Sequence, residues 1–222
     1  MRTLVIGDIH GCHRSLVALE AAARITPADL VITLGDHVDR GPASREVVEW
    51  LIRRQATGRL TALRGNHELM LLAARDSASA HAEWLACGGD AVLASYGVRH
   101  ASQLPREHIE FLETGLVAHA LAARHFCVHA NAYPDVPIEE QPDFMLYWED
   151  FGRPRPHQSG LTMVCGHTPQ QSGWPLDLGH AVCLDTGAGF GGWLTCLDLA
   201  RGFCWQANER GQTREFWLGD RP

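Results

Sequence analysis

The chain has 222 residues, of which 45% are hydrophobic, and a formal net charge of −7. Its length fits one large domain or two small ones, and because no linker or repeat interrupts it we expect a single domain over residues 1–222. The lack of a basic run argues against a nucleic-acid partner, and the lack of an apolar stretch of roughly 18 residues argues against a membrane partner.

The N-terminal third predicts strands and helices in alternation. Apolar runs predict strands at Arg2–Ile6, Leu30–Leu34 and Leu60–Leu63, and helical spacing predicts helices at Ser15–Arg24, Ser44–Gln55 and Glu68–Arg75. Uniformly apolar strands between helices indicate a buried, largely parallel sheet, which binds ligands at the carboxyl ends of its strands. Asp8, Asp36 and Asn66 each follow such an end at intervals of roughly 30 residues, about one βαβ unit.

The middle of the chain predicts helices and the C-terminal half predicts strands. Residues 76–114 carry no motif, contain a break at Gly88–Gly89, and are expected to form a helical cap beside the site. The predicted C-terminal strands are Leu116–Leu121, His125–His129, Thr162–Cys165, Ala181–Asp185, Trp193–Leu199, Phe203–Gln206 and Glu215–Leu218. Residues 131–160 contain five prolines and predict a long loop, and long loops in compact domains tend to be functional.

Five short motifs follow apolar runs along this pattern. They are Gly7-Asp8-Ile9-His10-Gly11, Gly35-Asp36-His37-Val38-Asp39-Arg40-Gly41, Gly65-Asn66-His67-Glu68, Val128-His129-Ala130 and Gly166-His167-Thr168. Taken singly, Asp8 or Asp36 could be a turn or helix-cap residue, and His129 could be a buried core histidine. Taken together, they supply carboxylate, imidazole and amide ligands without a thiolate, a set that suits hard-to-borderline divalent metals.

With these motifs, the sequence resembles the phosphoprotein phosphatase branch of the calcineurin-like metallophosphoesterases. Asp39-Arg40-Gly41 and Gly65-Asn66-His67-Glu68 are specific to that branch, and Asp185-Thr186-Gly187-Ala188 extends the resemblance over nearly the whole chain. Small bacterial and phage serine/threonine phosphatases and symmetrical diadenosine tetraphosphatases are the most similar groups. The resemblance implies an α/β fold, a double β-sheet sandwich flanked by helices on both outer faces.

The resemblance also implies a two-metal site. Asp8 and His10 would bind the first ion, Asp36 would bridge both ions, and Asn66, His129 and His167 would bind the second. We expect Mn²⁺, with Fe, Zn, Co or Ni as alternatives. Two carboxylates against four positive charges leave the site net positive, so it can hold a phosphate dianion. A hydroxide bridging the ions would attack the phosphorus directly.

Three more residues receive roles from the resemblance. His67 would donate a proton to the leaving alcohol, Asp39 would orient His67, and Arg40 would bind the phosphate oxygens. Related enzymes place a second arginine after an apolar-Trp pair, where this chain has Glu149 and Asp150. Arg153 or Arg155 is therefore expected to substitute for it.

Two further residues within or beside the motifs are expected to have lesser roles. His37 is expected at the rim of the site. Cys12 follows the first motif directly and is expected to pack in the core. The seven cysteines form no CxxC pair and the N-terminus lacks room for a signal peptide, which together predict reduced thiols and a cytoplasmic protein.

The function predicted from these residues is hydrolysis of phosphomonoesters. The expected substrates are phosphoserine and phosphothreonine in proteins, with phosphotyrosine or a small phosphoester as further candidates. Hydrolysis of a dinucleoside polyphosphate is the alternative, which the lack of a basic cluster disfavours. A scaffold that only binds partners is the non-enzyme alternative, and it should have lost ligands or the proton donor. The oligomeric state stays open.

Overall fold

The structure, a computed structural model, describes residues 1–220. Within this range the strands are Thr3–Ile6 (β1), Leu30–Thr33 (β2), Leu60–Ala62 (β3), His119–Ala122 (β4), His125–Val128 (β5), Thr162–Cys165 (β6), Leu176–Asp177 (β7), Ala181–Cys183 (β8), Leu194–Asp198 (β9), Phe203–Ala207 (β10) and Thr213–Trp217 (β11). The α-helices are His13–Ala22 (α1), Ser44–Gln55 (α2), Asn66–Ala73 (α3), Ala78–Trp84 (α4), Asp90–Tyr96 (α5), Arg106–Thr114 (α6) and Asp143–Tyr147 (α7). None of these helices is long and apolar enough to cross a membrane.

The strands form two mixed sheets. The first has the order β11-β10-β9-β1-β2-β3, and the second has the order β4-β5-β6-β8-β7. In the first sheet β1, β2 and β3 are parallel, as the apolar runs predicted. Strand β9 pairs antiparallel with β1, and β10 and β11 extend the sheet from β9 in further antiparallel pairs. In the second sheet β5, β6 and β8 are parallel, and β4 and β7 pair antiparallel at its edges.

The two sheets pack face to face and are covered by helices on their outer faces, which confirms the predicted sandwich. Along β1 the side chains alternate, so Val5 packs between the sheets while Leu4 and Ile6 pack against helices α1 and α2. Val164 and Val182 contribute the second sheet's half of the central core. Because both faces of the central strands are buried, these strands are uniformly apolar rather than alternating.

The second sheet has a different outer cover. Helix α7 and the flanking loops pack there through Leu146, Tyr147 and Phe151, which form one core cluster with Phe126 and Met163 of the sheet. Residues 131–160 are therefore a mostly irregular segment with a short helix, whose apolar side chains complete the core of this face.

Several element boundaries differ from the sequence prediction. The strand predicted at Leu116–Leu121 lies at His119–Ala122, because Val117 makes only a single bridge, to Leu63 of the other sheet's edge. Strand β7 was not predicted, since it has two residues. Residues 78–114 are mainly helical, and a π-helical turn at Leu85–Gly89 joins α4 to α5 where the Gly-Gly break was predicted.

Candidate active site

The predicted ligands converge from both sheets at the carboxyl ends of their strands. Asp8 and His10 follow β1, Asp36 follows β2, Asn66 follows β3, His129 follows β5 and His167 follows β6. All except His167 are at most 7% exposed. The edges of two packed sheets thus meet at one polar site inside an otherwise apolar sandwich.

One group of ligand atoms surrounds the amide oxygen of Asn66. His129 Nε2 lies 2.9 Å from Asn66 Oδ1, and His167 Nδ1 lies 3.1 Å from the same oxygen. Asp36 Oδ1 is 3.4 Å from His129 Nε2. Asp36, His129 and His167 can therefore direct one atom each at a shared metal ion.

In each of these imidazoles, one ring nitrogen donates to a backbone carbonyl oxygen and the other is left to face the site. His129 Nδ1 donates to the carbonyl oxygen of Leu34 at 2.8 Å, and His167 Nε2 donates to that of Trp148 at 3.2 Å. Burial lowers the pKa of His167 to about 4, so its ring is neutral and its other nitrogen carries a lone pair. The Nε2 of His129 and a lone pair of His167 thus face the Asn66 oxygen, an arrangement that a cation between them would stabilise.

A second group lies on the other side of Asp36. His10 Nε2 is 3.5 Å from Asp36 Oδ2, and His10 Nδ1 donates to the Val38 carbonyl oxygen at 2.9 Å. Asp8 Oδ2 accepts a hydrogen bond from the backbone of His167 at 2.9 Å, while Asp8 Oδ1 is buried without a hydrogen-bond partner. Asp36 stands between the two groups, as a bridging carboxylate must.

The electrostatics of this site also favour cations. Burial, followed by the nearby charges of Asp185 and Asp36, raises the pKa of Asp8 well above its ordinary value. Burial likewise raises the pKa of Asp185 to about 6, and it lowers the pKa of His10 to about 3. Buried carboxylates beside neutral imidazoles need positive charge to ionise. The donor set therefore fits divalent metal ions.

His67 and Asp39 form a buried pair next to these ligands. His67 Nδ1 lies 2.5 Å from Asp39 Oδ2, and His67 Nε2 lies 3.8 Å from Asp36 Oδ2. Burial by itself would lower the pKa of His67, but the negative charges of Asp36 and Asp39 outweigh it and raise that pKa. These charges favour the protonated imidazole, whose second proton would lie on Nε2 once no donor occupies that nitrogen.

Arg40 lies over the opening between the first ligand group and His67. Its Nη1 contacts His10 Nε2 at 2.7 Å, and its Nη2 contacts His67 Nε2 at 3.0 Å. The Phe190 ring stacks on the guanidinium, with 4.4 Å between the guanidinium carbon and the ring centre. Because a guanidinium only donates, both imidazole nitrogens accept here. A metal ion held by His10 would replace the first contact, and an anion on the guanidinium would replace the second, which would leave His67 Nε2 open to a proton.

The sequence profile of the calcineurin-like phosphoesterases matches residues 1–196, most of the chain that builds this site. The chain belongs to that family. Serine/threonine-protein phosphatase 1 of Salmonella typhimurium is 34% identical over 200 residues, 86% of this chain and 88% of the relative. This phosphoesterase is therefore a metal-dependent phosphatase, as the motifs predicted.

Two other similarities point to a different named activity. A symmetrical bis(5′-nucleosyl)-tetraphosphatase of Cronobacter sakazakii is 43% identical over 74 residues, but these cover only 33% of this chain and 25% of that protein. A solved structure described as a candidate diadenosine tetraphosphatase superposes with a TM-score of 0.70 over 97% of this chain and 92% of its own. Its 21% sequence identity establishes the shared fold alone.

Arg153 and Arg155 of the phosphoesterase do not join the residues that converge. Both are exposed, and the Arg155 guanidinium pairs with Asp135 at 2.6 Å on the surface. Both side chains of that pair are more than 70% exposed. A role for either arginine in substrate binding stays a prediction.

The expectation for His37 was wrong, whereas that for Cys12 is confirmed. His37 is fully buried rather than at the rim, with Nε2 2.8 Å from the Thr33 hydroxyl and Nδ1 3.4 Å from Glu68. Cys12 is 2% exposed, and burial raises its thiol pKa to about 12. A neutral thiol of this kind packs rather than reacts.

Two residues that support the site were missed. Glu68 is fully buried and accepts hydrogen bonds from the backbone N–H groups of Gly65, Asp36 and His37 at 2.8–3.0 Å. Its place three residues after a glycine at the start of α3 was a usable capping signal. Trp84 donates a hydrogen bond to Asp39, 45 residues away in the chain, and no local sequence pattern predicts that contact.

Backbone strain marks the same site. Within residues 1–220, seven non-glycine residues have positive φ, and five of them are predicted site residues: His10 (47°), Asp36 (47°), Asp39 (71°), Arg40 (66°) and His167 (64°). Such conformations persist only where surrounding contacts enforce them, and they cluster at functional sites. The sequence gives no indication of this strain, because L-residues other than glycine ordinarily avoid it.

Proposed function

We propose that this phosphoesterase hydrolyses phosphomonoesters, with phosphoserine and phosphothreonine in proteins as its substrates and phosphotyrosine as a further one. The position of His67 carries the proposal. Its Nδ1 is held by Asp39, and its Nε2 points to the site 3.8 Å from Asp36, the residue we propose as the metal bridge. A proton donor at that place is what a poor alkoxide leaving group requires.

In this proposal the metal ligands are Asp8, His10, Asp36, Asn66, His129 and His167. They would hold two divalent ions, which we propose to be Mn²⁺, with Fe, Zn, Co or Ni as alternatives. When bound, such ions supply an activated water and positive charge for the phosphate oxygens. The buried Asp8 oxygen without a partner and the two imidazole nitrogens that face the Asn66 oxygen support this assignment.

The protein's own groups would then act on the substrate. Arg40 would bind two phosphate oxygens with its planar guanidinium, which now bridges His10 and His67. His67 would pass its Nε2 proton to the leaving oxygen, while Asp39 fixes the ring and stabilises its charge. Arg40 is partly buried and would shield one side of the site from water.

The surface beside the site favours an ester of one phosphate. A groove of about 430 Å³ begins at Phe190 and is lined by uncharged residues, among them Gln170 and Thr186. Arg214 lies next to it, but its guanidinium is stacked between Trp174 and Trp193 and donates to backbone and amide oxygens. An uncharged groove suits the neutral part of a phosphopeptide better than three further phosphates.

The relatives support the same choice. The named protein phosphatase is matched over 88% of its length, whereas the tetraphosphatase is matched over 25%. A binding scaffold is disfavoured because the sequence retains all the proposed ligands together with His67 and Asp39.

A substrate panel tests the proposal. Chelated protein should be inactive, and Mn²⁺ should restore hydrolysis of a phosphoserine peptide and nitrophenyl phosphate. A higher kcat/KM for diadenosine tetraphosphate than for the phosphopeptide would replace the proposal with the dinucleoside alternative. No bound metal after Mn²⁺ supplementation, together with no hydrolysis of any substrate, would favour the scaffold.

A further inference from the structure

The helical segment between the third and fourth motifs contacts the second motif at two consecutive residues. Trp84, the last residue of α4, donates from its indole Nε1 to Asp39 Oδ1 at 2.8 Å. Four residues later, the carbonyl oxygen of Gly88 accepts a hydrogen bond from the Arg40 backbone at 3.0 Å. Trp84 directly precedes the π-helical turn at Leu85–Gly89, and Gly88 lies near the end of that turn. Short π-helical turns of this kind occur frequently at functional sites.

From these contacts we propose that Trp84 is a positioning residue for the proton donor, acting through Asp39. The Asp39 carboxylate is fully buried, and each of its oxygens has its own partner: Oδ2 faces His67 Nδ1, and Oδ1 faces the Trp84 indole. With both oxygens held, the plane of the carboxylate is fixed, and so is the direction in which His67 Nε2 points. The inference rests on the proposed roles of His67 and Asp39.

The surroundings of Trp84 indicate that its ring is placed for this contact. The indole is fully buried, and Gly89 packs so closely on it that a Cβ there would overlap the ring. Gly88 has φ +106°, and a Cβ on it would lie 2.8 Å from Arg40 Cγ. Only glycine adopts that φ without strain and leaves that space. The Gly-Gly pair therefore lets the backbone of the turn pack closely against Arg40 and the Trp84 ring lie against Asp39.

The backbone of the second motif explains why such support is needed. Asp39 and Arg40 both have positive φ, 71° and 66°, which is unfavourable for residues with a side chain. Strained residues need surrounding contacts to keep their conformation. The Trp84 and Gly88 contacts supply them from a segment that holds none of the proposed ligands.

Removing the indole N–H distinguishes a positioning role for Trp84 from a role in core packing alone. Trp84→Phe removes the donor, and Trp50→Phe is the matched control. Trp50 lies on helix α2, is 6% exposed, and donates a hydrogen bond from its Nε1 to Glu20 at 3.3 Å. Loss of a general packing contribution should lower stability in both variants and leave the preference between leaving groups unchanged.

The expected result is a selective loss with poor leaving groups. Trp84→Phe should reduce kcat on phenyl phosphate about tenfold and on nitrophenyl phosphate less than about twofold, since only the former depends on the proton. KM and bound metal should change little, and Trp50→Phe should match the unmodified enzyme on both substrates. If Trp84→Phe does not fold, benzothienylalanine at position 84 keeps the ring volume without the N–H and decides by the same criterion.

Combination with His67→Asn separates this inference from the proposed function. If Trp84 acts through His67, Trp84→Phe should cause no further loss on phenyl phosphate in the His67→Asn background. Equal losses on both substrates, or full additivity with His67→Asn, would overturn the role of Trp84 alone. A His67→Asn enzyme that shows no preference between leaving groups would instead overturn the proposed proton donor, and the inference with it.

Discussion

His67 Nδ1 lies 2.5 Å from Asp39 Oδ2, and both side chains are at most 3% exposed. The contact joins the second motif to the third and commits Nδ1 of the imidazole, so that Nε2 faces Asp36 and Arg40. Because the pair is buried, its charge–charge attraction is only weakly screened. In the proposed function each ring nitrogen has a separate task, so the role of His67 can be tested by comparing leaving groups and not by total activity alone.

His67→Asn should lose more rate with a poor leaving group than with a good one. Nitrophenolate leaves without a proton, whereas the alkoxide of serine or phenol does not, and proton donation contributes about 10²–10⁴-fold. The measurement is kcat on phosphoserine peptide, phenyl phosphate and nitrophenyl phosphate. Asp39→Asn should show the same trend more weakly, and neither variant should lose metal. Equal losses on all three substrates, with chemistry rate-limiting, would leave His67 an electrostatic residue only.

Asp36→Asn should be the most damaging of the ligand substitutions. Its two oxygens face His129 on one side and His10 on the other, so one change weakens both proposed metal sites. We expect less bound metal by elemental analysis and a loss of activity larger than for Asp8→Asn. The matched control is chelation followed by Mn²⁺, which should restore the unmodified enzyme. Full activity in metal-stripped protein, or normal metal and rate in Asp36→Asn, would contradict the two-metal assignment.

Arg40→Ala should raise KM and lower kcat together. In the proposed role the guanidinium, which lies against His10 and His67, would hold the phosphate in the ground state and stabilise its charge in the transition state. A lost charged contact costs about tenfold or more in kcat/KM. Arg155→Ala is a surface control, because its partner is Asp135.

Arg153→Ala distinguishes one phosphate-binding arginine from two. If Arg153 supplies the second contact, its removal should resemble that of Arg40. If neither Arg153→Ala nor Arg155→Ala changes kcat/KM by about threefold, well below the tenfold that corresponds to roughly 1.4 kcal/mol, the site works with Arg40 alone.

The sequence predicted the parts of the site that depend on strand ends. Asp8, Asp36 and Asn66 follow apolar runs, and the carboxyl ends of parallel strands lie along one edge, so their convergence could be anticipated. The partners of Asp39 and His37 could not. Apolar periodicity reports which face of an element is buried, but it does not report which distant side chain meets it there. The hydrogen bond of Trp84 and the burial of His37 arise from such contacts.

The same limit applies to the sheets. The apolar runs at β9 and β10 predicted strands, yet nothing local specifies that β9 pairs with β1 almost 200 residues earlier in the chain. Pairing partners are decided by the packing of whole faces, which is a property of the complete chain. The double-sheet architecture therefore came from family resemblance, not from the strand pattern.

Asp29→Asn should destabilise the protein in a pH-dependent manner. The buried Asp29 carboxylate accepts from Arg2 at 2.7 and 3.1 Å and from Thr26 at 2.9 and 3.0 Å, and these partners, the Arg2 hydrogen bond foremost, hold its pKa well below the ordinary value. A depressed folded-state pKa contributes stability above the unfolded pKa of about 3.9, and that contribution declines as the pH falls further. At pH 7 the variant should therefore lose about 1–3 kcal/mol of unfolding free energy in urea, and its deficit should shrink below about pH 4.

Asp135→Asn is the control, since its exposed pair with Arg155 should contribute less than about 1 kcal/mol at any pH. A deficit that stays constant from pH 7 to pH 3 would mean that Asp29 acts through its shape and neutral hydrogen bonds rather than through its charge.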